Sequence, residues 1–99
     1  MAIGVLTLQI QLPGCKSLKD KRSRIKPLLA RLHREFNLSV AELDLQDVWD
    51  EACIGCVMIS NDHKFAESSL QNVIRWLSKN WHDVTLIDDH IEIIFNLIA

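Results

Sequence analysis

An α+β fold with the element order β-α-β-β-α-β is what this 99-residue chain predicts, on three observations. Residues 3 to 12 and 38 to 47 alternate apolar and polar side chains with period two, the mark of a strand with one wetter face. Residues 18 to 36 and 66 to 81 repeat apolar residues at helical spacing. ACIGCVMIS and VTLIDDHIEIIF add two further β segments, one between the helices and one at the end.

In the first strand Leu6, Leu8, Ile10 and Leu12 share one parity, and Thr7, Gln9 and Gln11 the other. PGCKS ends it, because proline and glycine interrupt a ladder. From Ser17 the period changes: Leu18, Ile25, Leu29, Leu32 and Phe36 fall on one helical stripe, with Leu28 beside it. Ser17 is a natural N-cap, and Asp20 three residues later is a shortened capping-box partner. Pro27 removes one helix hydrogen bond and predicts a kink, or two shorter helices meeting near residue 26.

NLSVAELDLQD sets Ala41, Leu43 and Leu45 opposite Val40, Glu42 and Asp44. QDVWDE reads as a turn, and ACIGCVMIS, apolar on both parities, as a central strand. SND supplies caps for a second helix whose shared face is Ala66, Leu70, Val73, Ile74, Leu77 and Trp81. The last strand is expected to be irregular at Asp88 and Asp89, where alternation breaks. With right-handed crossovers this order becomes a ferredoxin-like sandwich, a four-stranded antiparallel sheet with both helices on one face. The length and a 48% hydrophobic content predict a single domain over residues 1–99, with an apolar C-terminal tail at about 94–99.

Several classes are disfavoured. MAIGVLTLQIQLPG has no basic leader and alternates where a signal peptide would be solidly apolar. The apolar runs fall well short of the roughly 20 residues that span a bilayer, so a soluble cytoplasmic protein with no membrane association is expected. Cys15, Cys53 and Cys56 are an odd count at low density, which predicts no disulfide.

The charge is strongly polarised. Lys16, Lys19, Lys21, Arg22, Arg24, Lys26, Arg31 and Arg34 stand against Asp20 alone, so residues 16 to 34 carry +7. The other eighty residues hold three basic and twelve acidic side chains, or −9, leaving the chain at −2. Cations at a helix start oppose the macrodipole, which is unfavourable by ~0.3 kcal/mol or more each. Free amides there, beside Gly14 and several lysines, also attract anions.

SLKDKRS opening the first helix, FNLSVAELD entering the second strand and the tryptophan of QDVWDEA resemble the YlxP-like family, small bacterial domains of unknown function. The resemblance covers residues 2 to 93. It implies a ferredoxin-like fold and a bacterial cytoplasmic setting. Genes of this family often lie near those for translation initiation and ribosome maturation, which implies an RNA context. The chain departs from the family pattern at Pro27 and in its tail FNLIA.

The reading that follows is a noncatalytic RNA-associated or ribosome-related accessory protein with no cofactor. It holds phosphate backbone through Lys16, Ser17, Lys19, Lys21, Arg22, Arg24, Lys26, Arg31 and Arg34. Such an array neutralises charge and discriminates bases little. A second class is a protein interaction module or homo-oligomeric adaptor, with Trp49 and Phe95 as contact residues and a homodimer through edge strand four. A third, a small phosphate-ester or acyl-phosphate enzyme, lacks the arginine-bearing loop of acylphosphatases.

Other motifs resolve more simply. GCKS resembles the end of a P-loop, but Gln9 stands where the upstream glycine is required. Neither central strand carries an aromatic residue, which disfavours base stacking on the sheet, and Glu42 and Asp44 would add repulsion if they face that side. Cys53 and Cys56 are three apart, so a regular strand points them to opposite faces unless Gly55 bulges. No zinc set is completed, and no metal is expected. Asp88, Asp89, His90 and Glu92 read as a solvated strand end, with His90 and Glu92 on one face. His33, His63 and His82 are isolated. Trp49 reads as cover for the core's edge, and Phe65 and Trp76 lie off the second helix's stripe.

Overall fold

Inward-facing alternation organises the structure. The computed structural model describes residues 1–95, with strands β1 (Ala2–Gln11), β2 (Ser39–Asp44), β3 (Glu51–Ser60) and β4 (Thr85–Phe95) and helices α1 (Leu18–Phe36) and α2 (His63–Asn80). The sheet order is β2-β3-β1-β4, antiparallel at every pairing, which is the ferredoxin-like arrangement. The expected tail at 94–99 lies outside the described residues from position 96 onward.

Leu6, Leu8 and Ile10 of β1 and Ala52, Ile54 and Cys56 of β3 point to the helix side and are fully buried. Leu70, Val73 and Leu77 of α2 and Ile25, Leu28 and Leu32 of α1 close the layer from above. Fully burying one such aliphatic side chain is worth about 1.5–3 kcal/mol, so this stripe holds the two layers together. Phe36 and Trp76 join the helices edge to face, with ring centroids 5.7 Å apart.

Both helices are capped as their sequences dictate. Asp20 N–H donates to Ser17 Oγ (3.0 Å) and Lys64 N–H to Asp62 Oδ1 (3.0 Å). At the other end of α1, Asn37 turns left-handed (φ 52°) and His33 Nδ1 meets the Leu38 carbonyl at 2.6 Å. Two shorter helices do not form, because α1 runs unbroken through Pro27. Pro27 and Ser23 are both exposed, so the Ser23 carbonyl that loses its partner faces solvent.

The irregularities sit on the two edge strands. Leu43 is the extra residue of a bulge in β2, between the pairs Glu42↔Ile54 and Asp44↔Cys53. Ile87 is the extra residue in β4, one position before the expected break at Asp88. Gly55 keeps regular register with Thr7 and Ala41 and does not bulge.

Candidate functional site

The basic segment divides into cations with internal partners and cations without. Lys21 belongs to the first group. The inward stripe of α1 is Lys21, Ile25, Leu28 and Leu32, so Lys21 occupies a core position and is 2% exposed. Its ammonium donates to the Leu45 carbonyl (2.7 Å) and the Val48 carbonyl (2.7 Å) and forms an ion pair with Glu42 Oε2 at 2.8 Å, a buried oxygen with no hydrogen bond in good geometry. These acceptors lie in β2 and the β2–β3 connection, where Leu45 adopts φ 63°. Lys21 therefore leaves the candidate phosphate-binding set. Of the two strand-two carboxylates, Glu42 faces the helices, while Asp44, paired with Cys53, lies on the open face.

Arg24 is also engaged. Its guanidinium donates to Asp83 Oδ2 (2.9 Å), to the Asp83 carbonyl (2.5 Å) and to the Pro13 carbonyl (2.9 Å). The hydrogen bond to Asp83 raises its pKa against the opposing effect of burial. Arg31 pairs with Glu35 one turn on (2.9 Å) and lies 5.7 Å from the Trp76 ring centre. Neither presents a free charge, contrary to the expectation from sequence.

The start of α1 is less open to anions than its lysines imply. Ser17 Oγ serves as the cap acceptor, and the Asp20 carboxylate approaches the Lys16 amide at 3.4 Å. The reciprocal bond of a capping box, from the Ser17 amide, does not form, but the carboxylate still places a negative group where an anion would have to sit.

Lys16, Lys19, Arg22, Lys26 and Arg34 are exposed, and none of them makes an ion pair among the described residues. At 100° per residue, Lys19 and Lys26 lie within about 20° of each other, with Arg22 and Arg34 some 60° to either side. The group points away from the buried stripe and follows the helix for about 22 Å. Beside Arg22 a hollow of about 340 Å³, lined also by Lys21, Glu42, Gln46 and Asp47, carries mixed charge.

The remaining candidates disperse. Cys56 is buried on the helix side, and Cys53 is half-buried on the opposite face. Burial pushes the Cys56 thiol up to about 12. The Cys53 pKa is raised too, by desolvation and then by Asp44. His90 and Glu92 do share the open face, opposite Thr7 and Val5. No group of three metal-binding side chains is found among the described residues. Trp49 is 51% exposed and does not cover the core. Phe95 is exposed and meets the His63 ring at 5.1 Å. Trp76 packs against Phe36 and Trp81, a role its place off the apolar stripe concealed. No helix is long and apolar enough to cross a membrane among the described residues.

Comparison with known proteins places these features in a family. The family described as "Protein of unknown function (DUF503)" matches residues 3–91. The chain belongs to this family. It is 34% identical over 61 residues to "Uncharacterized protein YlxP" of Bacillus subtilis (strain 168), an alignment spanning 62% of this chain and 66% of that protein. Among solved structures it is similar to a crystal structure described as a "putative Antibiotic biosynthesis monooxygenase" from Chloroflexus aurantiacus J-10-fl. That likeness has a TM-score of 0.46 at 20% identity, covering 93% of this chain and 92% of the other, and carries no argument about activity. The three stretches that resemble the YlxP-like family meet at one point in space. Lys21 of SLKDKRS contacts Glu42 of FNLSVAELD and the Val48 carbonyl of QDVWDEA.

Proposed function

We propose that this protein is a noncatalytic accessory protein of the cytoplasm that associates with RNA, ribosomal RNA included, through the outer surface of α1. The observation that supports the reading is the sorting of cations. Lys19, Arg22, Lys26 and Arg34 on one side of α1, and Lys16 just before it, are exposed and make no ion pair among the described residues, in a chain of net charge −2. Long exposed cations spaced one to two turns apart suit phosphates along a backbone and offer few groups to read bases. Binding is therefore salt-dependent and weakly selective for sequence.

The test is titration with structured RNA at two salt concentrations, for the natural protein and for Lys19→Glu/Arg22→Glu/Lys26→Glu. Each lost phosphate contact lowers the salt slope by about 0.7–0.9, so the triple variant is expected to lose roughly two units or more of slope. Affinity indifferent to salt, or unchanged in the variant, contradicts the reading. A second reading, a protein interaction module, draws on exposed Trp49 amid Asp47 and Asp50. Co-purifying material that survives nuclease and is lost in Trp49→Ala would favour it.

A further inference from the structure

We propose that the open face of the sheet is the interface between two copies of this chain, each copy's Ile59 entering the hollow that the other copy's Val5, Ala41, Leu43 and Val57 surround. The proposal is independent of RNA binding, since α1 lies on the opposite layer.

The open face is polar toward Gln9, Gln11, Asp88 and His90 but apolar around Val57, where an uncovered sheet is ordinarily polar. Leu43, Val57 and Ile59 are 56%, 40% and 66% exposed on it, and Ile3 and Val5 lie among them on β1. It carries no Lys or Arg among the described residues; its charged and titratable groups are Asp44 at the end of β2, Glu51 at the start of β3 and Asp88, His90 and Glu92 on β4. A nucleic acid is therefore a poor occupant.

The relief of the face favours a second copy. The Leu43 side chain lies across Gly55 and fills the space that a Cβ there would take, 2.5 Å from Leu43 Cδ1, so the hollow opens beside it. Val5, Ala41, Leu43, Gly55 and Val57 surround a hollow of about 180 Å³. Ile59 stands on the same face of β3, four residues along, and projects into solvent. Gly55 and Ile59 lie two residues either side of Val57. A two-fold axis passing beside Val57, with the β3 strands antiparallel, sets each Ile59 over the opposite hollow. An isologous interface needs this kind of self-complementarity, in which one contact is made twice. Glu92 falls level with Val57, so the same axis brings the two Glu92 carboxylates opposite each other, on the outermost strand in the position of a solvated polar rim.

The footprint of the face approaches that of a standard interface. Four strands at ~4.8 Å spacing and ~33 Å of β1 and β3 give a footprint of about 600 Å². The accessible area of a corrugated side-chain layer exceeds its footprint, and a standard interface needs ~800 Å² per partner. Pairing along the β4 edge is a weaker alternative, because Asp88, Asp89, His90 and Glu92 and the Ile87 bulge occupy that strand.

Sedimentation velocity over a concentration series tests the proposal with the natural chain, Ile59→Lys and Ala41→Phe. The first variant places a charge on the inserting side chain and the second fills the hollow. Both positions are exposed, so far-UV circular dichroism should stay native. The natural chain is expected to be dimeric at ~100 μM, and each variant to weaken association by about tenfold or more. A natural chain that sediments as a monomer at that concentration overturns the proposal. So does a dimer that neither variant weakens, since its interface then lies elsewhere.

Discussion

Lys21 Nζ lies 2.8 Å from Glu42 Oε2, and the pair joins the inward face of α1 to the strand that leads into the β2–β3 connection. The two carbonyl bonds to Leu45 and Val48 make the ammonium a three-point anchor for that connection. Lys21→Met keeps the aliphatic stem but strands three acceptors, and is expected to cost about 3 kcal/mol. Glu42→Gln keeps an acceptor beside the ammonium and is expected to cost nearer 1 kcal/mol. Urea unfolding of both variants checks the order. A Lys21→Met protein as stable as the natural one would mean that the anchor contributes nothing.

Arg24 ties two loops that are far apart in sequence, through Pro13 on one side and Asp83 on the other. The interaction is partly solvated, so Arg24→Ala is expected to lower stability by roughly 1 kcal/mol. Because this charge is already neutralised, the salt slope of RNA binding should not change. Loss of slope without loss of stability would return Arg24 to the binding surface.

Pro27 is an exposed proline in the interior of a helix. Proline there is about 3 kcal/mol less favourable than alanine, offset by ~1 kcal/mol for the freedom it removes from the unfolded chain. Pro27→Ala is expected to stabilise the protein by about 1–2 kcal/mol, read as a higher midpoint in thermal unfolding. A lower midpoint would show that the surrounding packing has adapted to proline.

Period-two and helical patterns made the elements legible, because burial on one side of a sheet leaves a direct trace in residue order. Ser17 and Asp62 were legible as caps for the same local reason. What charge counting could not resolve was which cations have partners. Lys21 reads as one more surface lysine because its acceptors, the Leu45 and Val48 carbonyls and Glu42, lie more than twenty residues away. Arg24 and Asp83 are separated by 59 positions, and only the α2–β4 turn brings them together. The Leu43 bulge likewise leaves no trace in the alternation, since it depends on register against β3.

Burial holds the Cys56 thiol protonated up to about 12, against 9.0 for the group in the open. Above pH 9 the unfolded chain loses this proton while the folded chain keeps it, so the folded state binds more protons and stability falls as pH rises. The decline from this group is at most about 1.4 kcal/mol per pH unit between 9 and 12. Cys56→Ala removes the titrating group, and its stability should flatten over that window relative to the natural chain. An identical slope in both proteins would assign the alkaline loss to other groups.

Gly4 and Gly55 both face a leucine, but with opposite freedom to move. A Cβ at Gly4 would lie 2.9 Å from Leu70 Cδ1 and 3.3 Å from Met58 Cγ, and Leu70 is fully buried with nowhere to go. Gly4→Ala is therefore expected to cost about 1–3 kcal/mol through overpacking. At Gly55 the obstacle is the half-exposed Leu43, whose side chain can swing toward solvent. Gly55→Ala in the monomer should cost within about 0.5 kcal/mol, as a surface change does. Denaturant unfolding of the two variants at low protein concentration compares them directly, and equal losses would show that Leu43 is as firmly held as Leu70.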